Sequence, residues 1–461
     1  MQIAVIGAGP GGYVAAIKAA QLGASVTIVE DTEVGGTCLN RGCIPTKALI
    51  ASAEALEKAR NIHDFGIELN GNVIPDIQKI LERKNRIVSI QVKGIRGLFK
   101  SWGIKILEGK GFIAGPKKIK VTLRDGGTEE VEADKVIIAT GSRPAQIPTF
   151  PFDGEKILSS DDALNLNNIP ESLLIVGAGV IGCEFAFIYR GFGSEVTMVE
   201  MMPRAVSTED EEISAILEKE LKKKKIKLMT DIKVEKIEMK ENSVLAFLSD
   251  GKTIEAEKVL VSIGRALNSK NIGLENIGVK TGQRGEIIVN NKMETNVDGV
   301  YAVGDVTGGI MLAHVASKEG IIAAENALGG NAVINYDVVP AAIFTNPEIA
   351  SVGLREKQAM ERGYKIRVGR FQFRALGKAH AMGEISGLIK IIADEQSDRI
   401  LGTHIIGPHA SDLIHEAALA IEKGLTARDV AHTIHAHPTL SEGIMEAAED
   451  VHNLAIHVPK K

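Results

Sequence analysis

The residues best suited to chemistry are two cysteines five positions apart, Cys38 and Cys43 in GGTCLNRGCIPTK at residues 35–47. The chain has only three cysteines, so two this close together indicate a redox-active pair rather than a structural disulfide. A disulfide between them would close a very short loop and restrict the unfolded chain little, and it could open and close by thiol–disulfide exchange. Reduced buried thiols or half of a metal site are the alternatives. Metal ligands more often come at closer spacing and with a second cluster, which this sequence lacks, so we predict no metal.

A second candidate group lies in IHAHPTLSEG at residues 434–443. The thiolate is the nucleophile in exchange, so a proton must leave an incoming thiol, and histidine titrates near neutral pH. His437 is the candidate acid–base, and Glu442 is placed to orient its ring. With His432 and His435 nearby, a metal site is the alternative, but no cysteine or carboxylate cluster accompanies these histidines.

Two copies of one nucleotide-binding pattern must position these groups. The segment at residues 3–30 recurs at residues 173–200, with ten identities at a constant offset of 170. Each copy predicts a strand, a glycine turn, an apolar helix and a second strand that ends in glutamate. The first glycine makes the tight turn, the second lets the backbone approach a pyrophosphate, and the third allows close packing of helix on strand. The glycines are Gly7, Gly9 and Gly12 in the first copy and Gly177, Gly179 and Gly182 in the second.

The acidic residue of each copy identifies a ribose site. Glu30 and Glu200 each stand 18 residues beyond the third glycine, where a carboxylate accepts bonds from ribose hydroxyls. Two sites imply two nucleotides, one a flavin and the other a nicotinamide. Only the first copy leads directly into the cysteines, and a thiol that passes electrons to a flavin must lie against its ring, so the first site is assigned to the flavin. The charge of Glu200 would repel a 2′-phosphate, and although Arg204 is close, no arginine follows immediately, which favours NAD over NADP.

Composition limits the class of protein. At 461 residues, with 44% hydrophobic and 25% charged residues, the chain should form several domains of a soluble protein. A net charge of −5 argues against nucleic acid as the main partner. The run Lys222–Lys225 lies in a polar helical stretch and is interpreted as a solvated face. We expect no membrane span and no signal peptide, and three cysteines suit a reducing, cytoplasmic location.

Six motifs in order resemble those of the dihydrolipoamide dehydrogenases, within the pyridine nucleotide–disulfide oxidoreductase family. They are the redox motif, both nucleotide fingerprints, VIIATGSRP at 136–144, YAVGDVTGG at 301–309 and IHAHPTLSEG at 434–443. The resemblance covers essentially the whole chain. It implies an α/β fold with two Rossmann-like dinucleotide-binding domains, as in glutathione reductase, and a C-terminal α+β dimerisation domain. The implied segments are 1–143 for FAD, 144–266 for NAD, 267–335 completing the FAD site, and 336–461 as the interface domain.

The resemblance also implies an activity and a role for each site residue. The enzyme would oxidise protein-bound dihydrolipoamide to lipoamide and reduce NAD⁺ to NADH, through a Cys38–Cys43 disulfide and tightly bound FAD. Cys38 would be the interchange thiol, and Cys43 would lie under the flavin ring as the charge-transfer thiolate. Lys47 would lie near the flavin and pair with Glu184 of the NAD unit. The other implied residues are Gly111, Thr140, Gly141, Asp305 and Ala313 at the FAD site, and Val234 and Gly264 at the NAD site.

The implied partners are a second copy of the chain, whose His437 would work on the first copy's thiols, and the lipoyl domains of a 2-oxo acid dehydrogenase or glycine cleavage complex. A glutathione-type reductase using NAD(P)H is the alternative enzyme, disfavoured because no basic pair follows Glu200. A nucleotide-binding structural subunit without turnover is the alternative from another class, disfavoured because all four catalytic candidates are intact. Arg41, between the cysteines, could lower a thiol pKa, although a solvent-facing arginine is the simpler interpretation.

Overall fold

A computed structural model describes residues 1–459 of the chain. Within that range the helices, in chain order, are α1 Pro10–Gln21, α2 Gly36–Arg41, α3 Cys43–Arg60, α4 Ile77–Ser101, α5 Ser160–Ala163, α6 Val180–Phe192, α7 Glu211–Lys223, α8 Ala313–Ala327, α9 Glu356–Glu361, α10 Gly377–Met382, α11 Ala410–Lys423, α12 Ala427–Ala431 and α13 Glu442–Asp450. Short 3₁₀ turns are Ile62–Phe65, Leu274–Ile277, Gly304–Thr307 and Phe373–Ala375. None of these described helices is both long and apolar enough to cross a bilayer.

The strands of the same range form five sheets. In chain order they are β1 Gln2–Ile6, β2 Ser25–Glu30, β3 Lys105–Gly115, β4 Lys118–Leu123, β5 Thr128–Glu132, β6 Lys135–Ile138, β7 Ser142–Pro144, β8 Ile157–Leu158, β9 Ser172–Val176, β10 Glu195–Val199, β11 Lys227–Met229, β12 Val234–Met239, β13 Val244–Leu248, β14 Thr253–Ala256, β15 Lys258–Val261, β16 Arg265–Leu267, β17 Val300–Ala302, β18 Ala341–Ile343, β19 Glu348–Gly353, β20 Ile366–Gln372, β21 Leu388–Asp394 and β22 Ile400–Gly407.

The first nucleotide unit is built on a seven-stranded sheet in the order β17-β6-β1-β2-β3-β4-β5. The strands from β17 to β3 pair in parallel, and the last two add as antiparallel neighbours. Strands β1 and β6 are almost continuously apolar because helices cover parallel sheets on both faces. Strand β17 joins this sheet although the whole second unit intervenes in the sequence. The chain therefore leaves the first unit after β6 and is back against β3 at Ile272, whose O accepts the Ile113 N–H at 2.8 Å, before β17 joins the sheet.

The second unit has a parallel five-stranded sheet in the order β11-β10-β9-β15-β8 and a three-stranded antiparallel sheet, β12-β13-β14. Both connections to the first unit lie side by side, because β7 and β16 pair as a two-stranded antiparallel ribbon. In this ribbon Ser142 is opposite Leu267, and Pro144 is opposite Arg265. The second unit is thus inserted into the first through a single narrow connection.

The C-terminal segment folds on an antiparallel sheet in the order β18-β19-β22-β21-β20, with α11, α12 and α13 packed against it. The strand-like run GLIKIIAD at 387–394 contains β21, and the apolar-periodic stretch that ends at Lys423 forms α11. Apolar residues fill the space between sheet and helices, among them Phe371, Ile389 and Ile444. Each fully buried side chain of this size contributes about 1.5–3 kcal/mol. These sheets give the two parallel α/β units and the α+β segment that the sequence predicts, while the four numbered boundaries stay a prediction.

Candidate functional site

The two thiols lie at the junction of two consecutive helices. Cys38 is in α2, and Cys43 is the first residue of α3, with Gly42 between the helices. Pro45 stands in the first turn of α3, where its missing N–H breaks no helical hydrogen bond. Both thiols are free and partly buried, whereas Cys183 is a fully buried packing residue. The local sequence therefore brings the two sulfur atoms together at a helix N-terminus, which favours negative charge.

The two thiols differ in acidity. A hydrogen bond from the Cys38 thiol, assisted by the charge of Lys47, outweighs burial and lowers the pKa of Cys43 to about 7. The same hydrogen bond, together with burial and the charge of Cys43, raises the pKa of Cys38 well above its ordinary value. In the reduced pair the proton therefore stays on Cys38, and Cys43 carries the negative charge. Such a thiolate is both a good leaving group and a donor of electrons.

Lys47 connects the thiol pair to the second unit. It lies one helical turn after Cys43 in α3, and its Nζ donates to both oxygens of Glu184 at 2.9 and 3.0 Å. Glu184 is on α6, two residues beyond the last glycine of the second turn. The pairing predicted from the resemblance is therefore present. The roles that the resemblance gives these residues beside a flavin and a nicotinamide stay predictions.

The two glycine turns have nearly identical backbones. Gly7 and Gly177 both have φ of +101°, a left-handed conformation that side chains rarely adopt. A Cβ on Gly12 would lie 1.9 Å from Gly7 O, and a Cβ on Gly182 would lie 2.0 Å from Gly177 O, so each helix could not pack so closely with a larger residue.

The middle glycine of each turn faces open space. A Cβ on Gly9 would meet only Gly36 Cα, at 3.8 Å, and a Cβ on Gly179 would meet nothing within 4 Å. Both glycines are N-caps of helices that lack a side-chain cap, so backbone N–H groups are left for a ligand. These two cradles fit the pyrophosphates of FAD and NAD.

A carboxylate is fixed beside each cradle in the same way. Glu30 Oε2 accepts the backbone N–H of Ala8 at 2.7 Å, and Glu200 Oε2 accepts that of Ala178 at 2.6 Å. The other oxygen of Glu200 accepts the Met202 N–H at 2.8 Å. Glu30 Oε1 already accepts two hydrogen bonds, so a lone pair for a ribose hydroxyl remains on Glu30 Oε2 and on both oxygens of Glu200.

Two equivalent turns follow the central strands β6 and β15. Gly141 and Gly264 both have positive φ, of +67° and +122°. The Thr140 hydroxyl donates to Asn268 O at 2.7 Å, and Asn268 N–H donates to Gly141 O at 3.0 Å. Residues 140–141 and 264–268 are thereby bonded to each other at the ribbon that joins the units.

The remaining FAD candidates surround the same end of the first sheet. The Ser142 hydroxyl donates to Asp305, and Arg265 Nε donates to that hydroxyl at 2.6 Å while lying 3.7 Å from Asp305 Oδ2. Ala313 is the first residue of α8, which has no side-chain N-cap and so presents free backbone donors. Ser142, inside VIIATGSRP, and Arg265, next to Gly264, are not among the residues predicted from the sequence.

Two candidates lie in the sheets beneath the cradles. Gly111 is on β3, and a Cβ there would lie 3.1 Å from Ile6 Cγ2 and 3.3 Å from Val29 Cγ1. Val234 is the buried first residue of β12, in the apolar cluster that includes Val199. Their predicted contacts with nucleotides stay predictions.

The acid–base candidates form a pair of their own. His437 Nδ1 lies 2.8 Å from Glu442 Oε1, and Thr439 N–H donates to Glu442 Oε2 at 2.8 Å. Burial raises the pKa of Glu442, but these two hydrogen bonds outweigh it and leave the pKa below its ordinary value. An ionised carboxylate can only accept, so Nδ1 carries the proton and Nε2 is left as the base. The His437 side chain is 77% exposed.

Hydrogen bonds thus group the four catalytic candidates into two pairs, one in the first unit and one in the C-terminal segment.

Arg41 donates to the Thr32 hydroxyl at 3.0 Å and lies 3.9 Å from Asp161, with its side chain 38% exposed. Within residues 1–459 no group of three or more His, Cys, Asp or Glu side chains is arranged to hold a metal ion.

Comparison with known proteins gives matches over nearly the whole chain. A family profile described as pyridine nucleotide-disulphide oxidoreductase matches residues 1–320, and the profile of that family's dimerisation domain matches residues 339–448. The dihydrolipoyl dehydrogenase of Bacillus subtilis is 45% identical over 469 residues, covering 99% of this chain and 98% of that protein. That of Thermus scotoductus is 44% identical over 460 residues, covering 98% of each. The crystal structure of LpdA from Mycobacterium tuberculosis superposes with a TM-score of 0.92 at 31% identity, covering 97% of this chain and 99% of that one.

Proposed function

Because the chain belongs to the pyridine nucleotide-disulphide oxidoreductase family, we propose that it oxidises dihydrolipoyl groups to their cyclic disulfide with NAD⁺ as the acceptor. One observation carries the proposal: the Cys38–Cys43 pair, with its acidic thiol at a helix N-terminus, lies in a chain 44–45% identical to dihydrolipoyl dehydrogenases. The enzyme uses FAD and NAD. When bound, FAD would supply the two-electron acceptor that links the thiol pair to NAD⁺.

The protein's own residues carry the dithiol half of the reaction. His437 Nε2 takes the proton of one substrate thiol while Glu442 holds the ring. The resulting thiolate attacks the Cys38 sulfur of the enzyme disulfide, and Cys43 leaves as a thiolate. The second substrate thiol gives up its proton as it attacks the substrate sulfur of the mixed disulfide, the lipoyl ring closes, and Cys38 leaves and takes up a proton as the thiol of the reduced pair. One disulfide is formed and one is broken, and two electrons remain on the enzyme thiols.

The cofactor candidates hold the nucleotides in place. We propose that Gly7, Gly9, Gly12 and Glu30 hold FAD, and that the matching residues of the second unit hold NAD. The low pKa of Cys43 supports its proposed place beside the flavin, and we propose Cys38, which keeps its proton, as the interchange thiol.

The assembly is proposed to be a homodimer, since the C-terminal segment matches a dimerisation domain. The proposed protein partner is a lipoyl domain of a 2-oxo acid dehydrogenase or glycine cleavage complex, because dihydrolipoyl groups are carried on such domains. We propose a cytoplasmic location on the cysteine usage alone.

Steady-state turnover with dihydrolipoamide, with glutathione, and with NAD⁺, NADP⁺, NADH and NADPH tests the function. We expect dihydrolipoamide with NAD⁺ to give the highest kcat/KM among the oxidation assays, and glutathione disulfide to be a poor substrate with either reduced nucleotide. Faster turnover of glutathione disulfide with NADPH would replace this function by that of a glutathione-type reductase.

A further inference from the structure

The segment at residues 200–210, here called the nucleotide loop, holds the glycine turn of the second unit. Glu200 accepts the backbone N–H of Ala178, and Val206 N–H donates to Ala178 O at 2.8 Å. Ala178 lies between the first two glycines of that turn, so the loop binds both polar groups of its central peptide residue. Any movement of the loop therefore moves the turn.

The loop is held in an unfavourable conformation. Val206 is buried and has φ of +41°, although it is β-branched and such residues rarely adopt positive φ. Backbone strain of this kind persists only when the surrounding structure fixes it, and it concentrates at functional sites. The loop is held by the turn and by α7, and also from its far side, away from the turn.

That far side is bonded to the interface domain at closely spaced positions. Four residues at the end of the loop and the start of α7 each bond a side chain of that domain: Thr208 O accepts from Arg355 at 2.7 Å, Glu209 bonds Ser351, Asp210 accepts from Lys390 at 2.9 Å, and Glu212 accepts from Arg370 at 2.6 Å.

Lys390 is the most buried of these partners. Its side chain is 2% exposed, on β21, and its Nζ donates to both oxygens of Asp210 and to Glu212 Oε1, all at 2.9 Å. Asp210 is itself the N-cap of α7 and accepts the Glu212 N–H at 3.0 Å. A buried ammonium needs fully formed partners, so this contact fixes geometry at the point where the loop ends.

We infer that Lys390 and Arg355 are positioning residues for NAD: through the nucleotide loop, the interface domain sets the shape of the second glycine turn. This inference rests on the proposed NAD site. Loss of these contacts should affect only the NAD site, because the thiol pair and the first glycine turn have no part in them. Loss of the anchor should weaken NAD binding and leave the reaction of the thiols with dihydrolipoamide unchanged.

The first test replaces Arg355 in the FAD-loaded enzyme, because its side chain is partly exposed and bonds a backbone oxygen of the loop. Arg355→Ala should raise KM for NAD⁺ about threefold with kcat within twofold, and Arg355→Lys, which keeps a cationic donor, should restore most of the loss. Arg362→Ala is the matched control, since Arg362 pairs with Asp337 on the surface of the same domain, 3.7 Å apart. It should leave KM unchanged.

The second test removes the buried pair as a unit. Lys390→Met with Asp210→Asn leaves the site with one fewer charge of each sign and keeps a side-chain N-cap. We expect KM for NAD⁺ to rise about tenfold, equivalent to about 1.4 kcal/mol. Flavin reduction by dihydrolipoamide without NAD⁺, followed by absorbance in a stopped-flow instrument, should stay within twofold of the wild-type rate.

Two results would overturn the inference. One is an unchanged KM for NAD⁺ in the Arg355→Ala and double variants. The other is a fall in flavin reduction that parallels the rise in KM, which would mean general damage to the fold. Failure of the proposed function has a different signature, since the wild-type enzyme itself would then not reduce NAD⁺ with dihydrolipoamide, and both proposals would fall.

Discussion

The ammonium of Lys47 and the carboxylate of Glu184, 2.9 Å apart, join α3, which begins at Cys43, to α6, the helix that follows the second glycine turn. The Glu184 side chain is only 6% exposed, and Phe344 N–H donates to its Oε1 at 3.0 Å. The Phe344 ring lies 4.3 Å from the Lys47 ammonium. Three parts of the chain, from the first unit, the second unit and the C-terminal segment, therefore meet at one buried carboxylate.

Removal of Lys47 should destabilise the protein. Lys47→Met leaves a buried carboxylate with the Phe344 N–H as its main donor, and we expect the free energy of unfolding to fall by about 2 kcal/mol. Lys58→Met is the control on the same helix, because Lys58 pairs with Glu384 at an exposed site, and it should cost less than about 0.5 kcal/mol. Denaturant unfolding of the FAD-loaded enzymes measures both. If Lys47→Met and Lys58→Met lower the free energy of unfolding equally, Lys47 does not stabilise the buried carboxylate.

The thiol of Cys43 should be alkylated with a pH dependence that reports its neighbours. In the reduced enzyme the rate should rise through a pKa of about 7. Cys38→Ala removes the hydrogen bond that lowers this pKa most, so the curve should move to higher pH, and Lys47→Met should move it less. Iodoacetamide labelling at a series of pH values, with Cys43 followed by mass spectrometry, gives the curves. A Cys38→Ala curve that coincides with the wild type would refute the hydrogen bond.

The two cysteines should differ in their effect on the flavin spectrum. A thiolate beside the flavin gives long-wavelength absorbance, and we assign it to Cys43. Cys38→Ser should therefore show the band without prior reduction, while Cys43→Ser should keep FAD and lose the band. Visible spectra before and after reduction decide the matter. A band that survives in Cys43→Ser would reverse the two roles.

The enzyme should prefer NAD⁺ to NADP⁺. The Glu200 carboxylate is fixed by Ala178 and Met202 N–H groups, so it cannot easily turn away from a 2′-phosphate. Like charges this close cost several kcal/mol, so kcat/KM should be at least about 100-fold higher for NAD⁺. Glu200→Ser should narrow the ratio mainly by improving use of NADP⁺. Comparable kcat/KM values in the wild type would contradict the assignment of the second site.

The active site should be shared between two chains. His437 is exposed and bonded to Glu442, in the segment that matches a dimerisation domain, while Cys38 lies in the first unit. His437→Ala and Cys38→Ser homodimers should each be inactive. Their mixed dimers hold one site with both residues and should regain about half of wild-type activity, by count of sites. If mixed dimers, isolated through two different affinity tags, are properly formed yet inactive, then each site lies within one chain.

The features that the sequence predicted best depend on local geometry. The equal φ of Gly7 and Gly177 follows from the same residue pattern at the same place in each turn. The same holds for Glu30 and Glu200, because Glu30 ends β2 and Glu200 directly follows β10, each beside the turn in a parallel sheet. Motif spacing is enough to predict such arrangements, since a strand, a turn and a helix fix the distances between their residues.

Contacts between distant parts of the chain escaped prediction. Lys390 meets Asp210 across 180 positions, and no spacing in the sequence connects them. The lysine run from 222 was interpreted as a solvated face, which is wrong for Lys224: it is partly buried, pairs with Glu57 and lies near the Phe187 ring. Which lysine of a charged run turns inward depends on the surface packed against it, and that surface comes from another part of the chain.

The pairing of β7 with β16 makes the second unit exchangeable by protein engineering. Neighbouring residues of an antiparallel pair lie about 5 Å apart, so the entry and exit of the second unit almost coincide. Because its two ends are adjacent, the second unit can be exchanged for a segment of any size without distorting the first unit. The strand ribbon at Ser142 and Leu267 is therefore a natural splice point, where a different nucleotide-binding module could be grafted while the flavin unit keeps its own sheet.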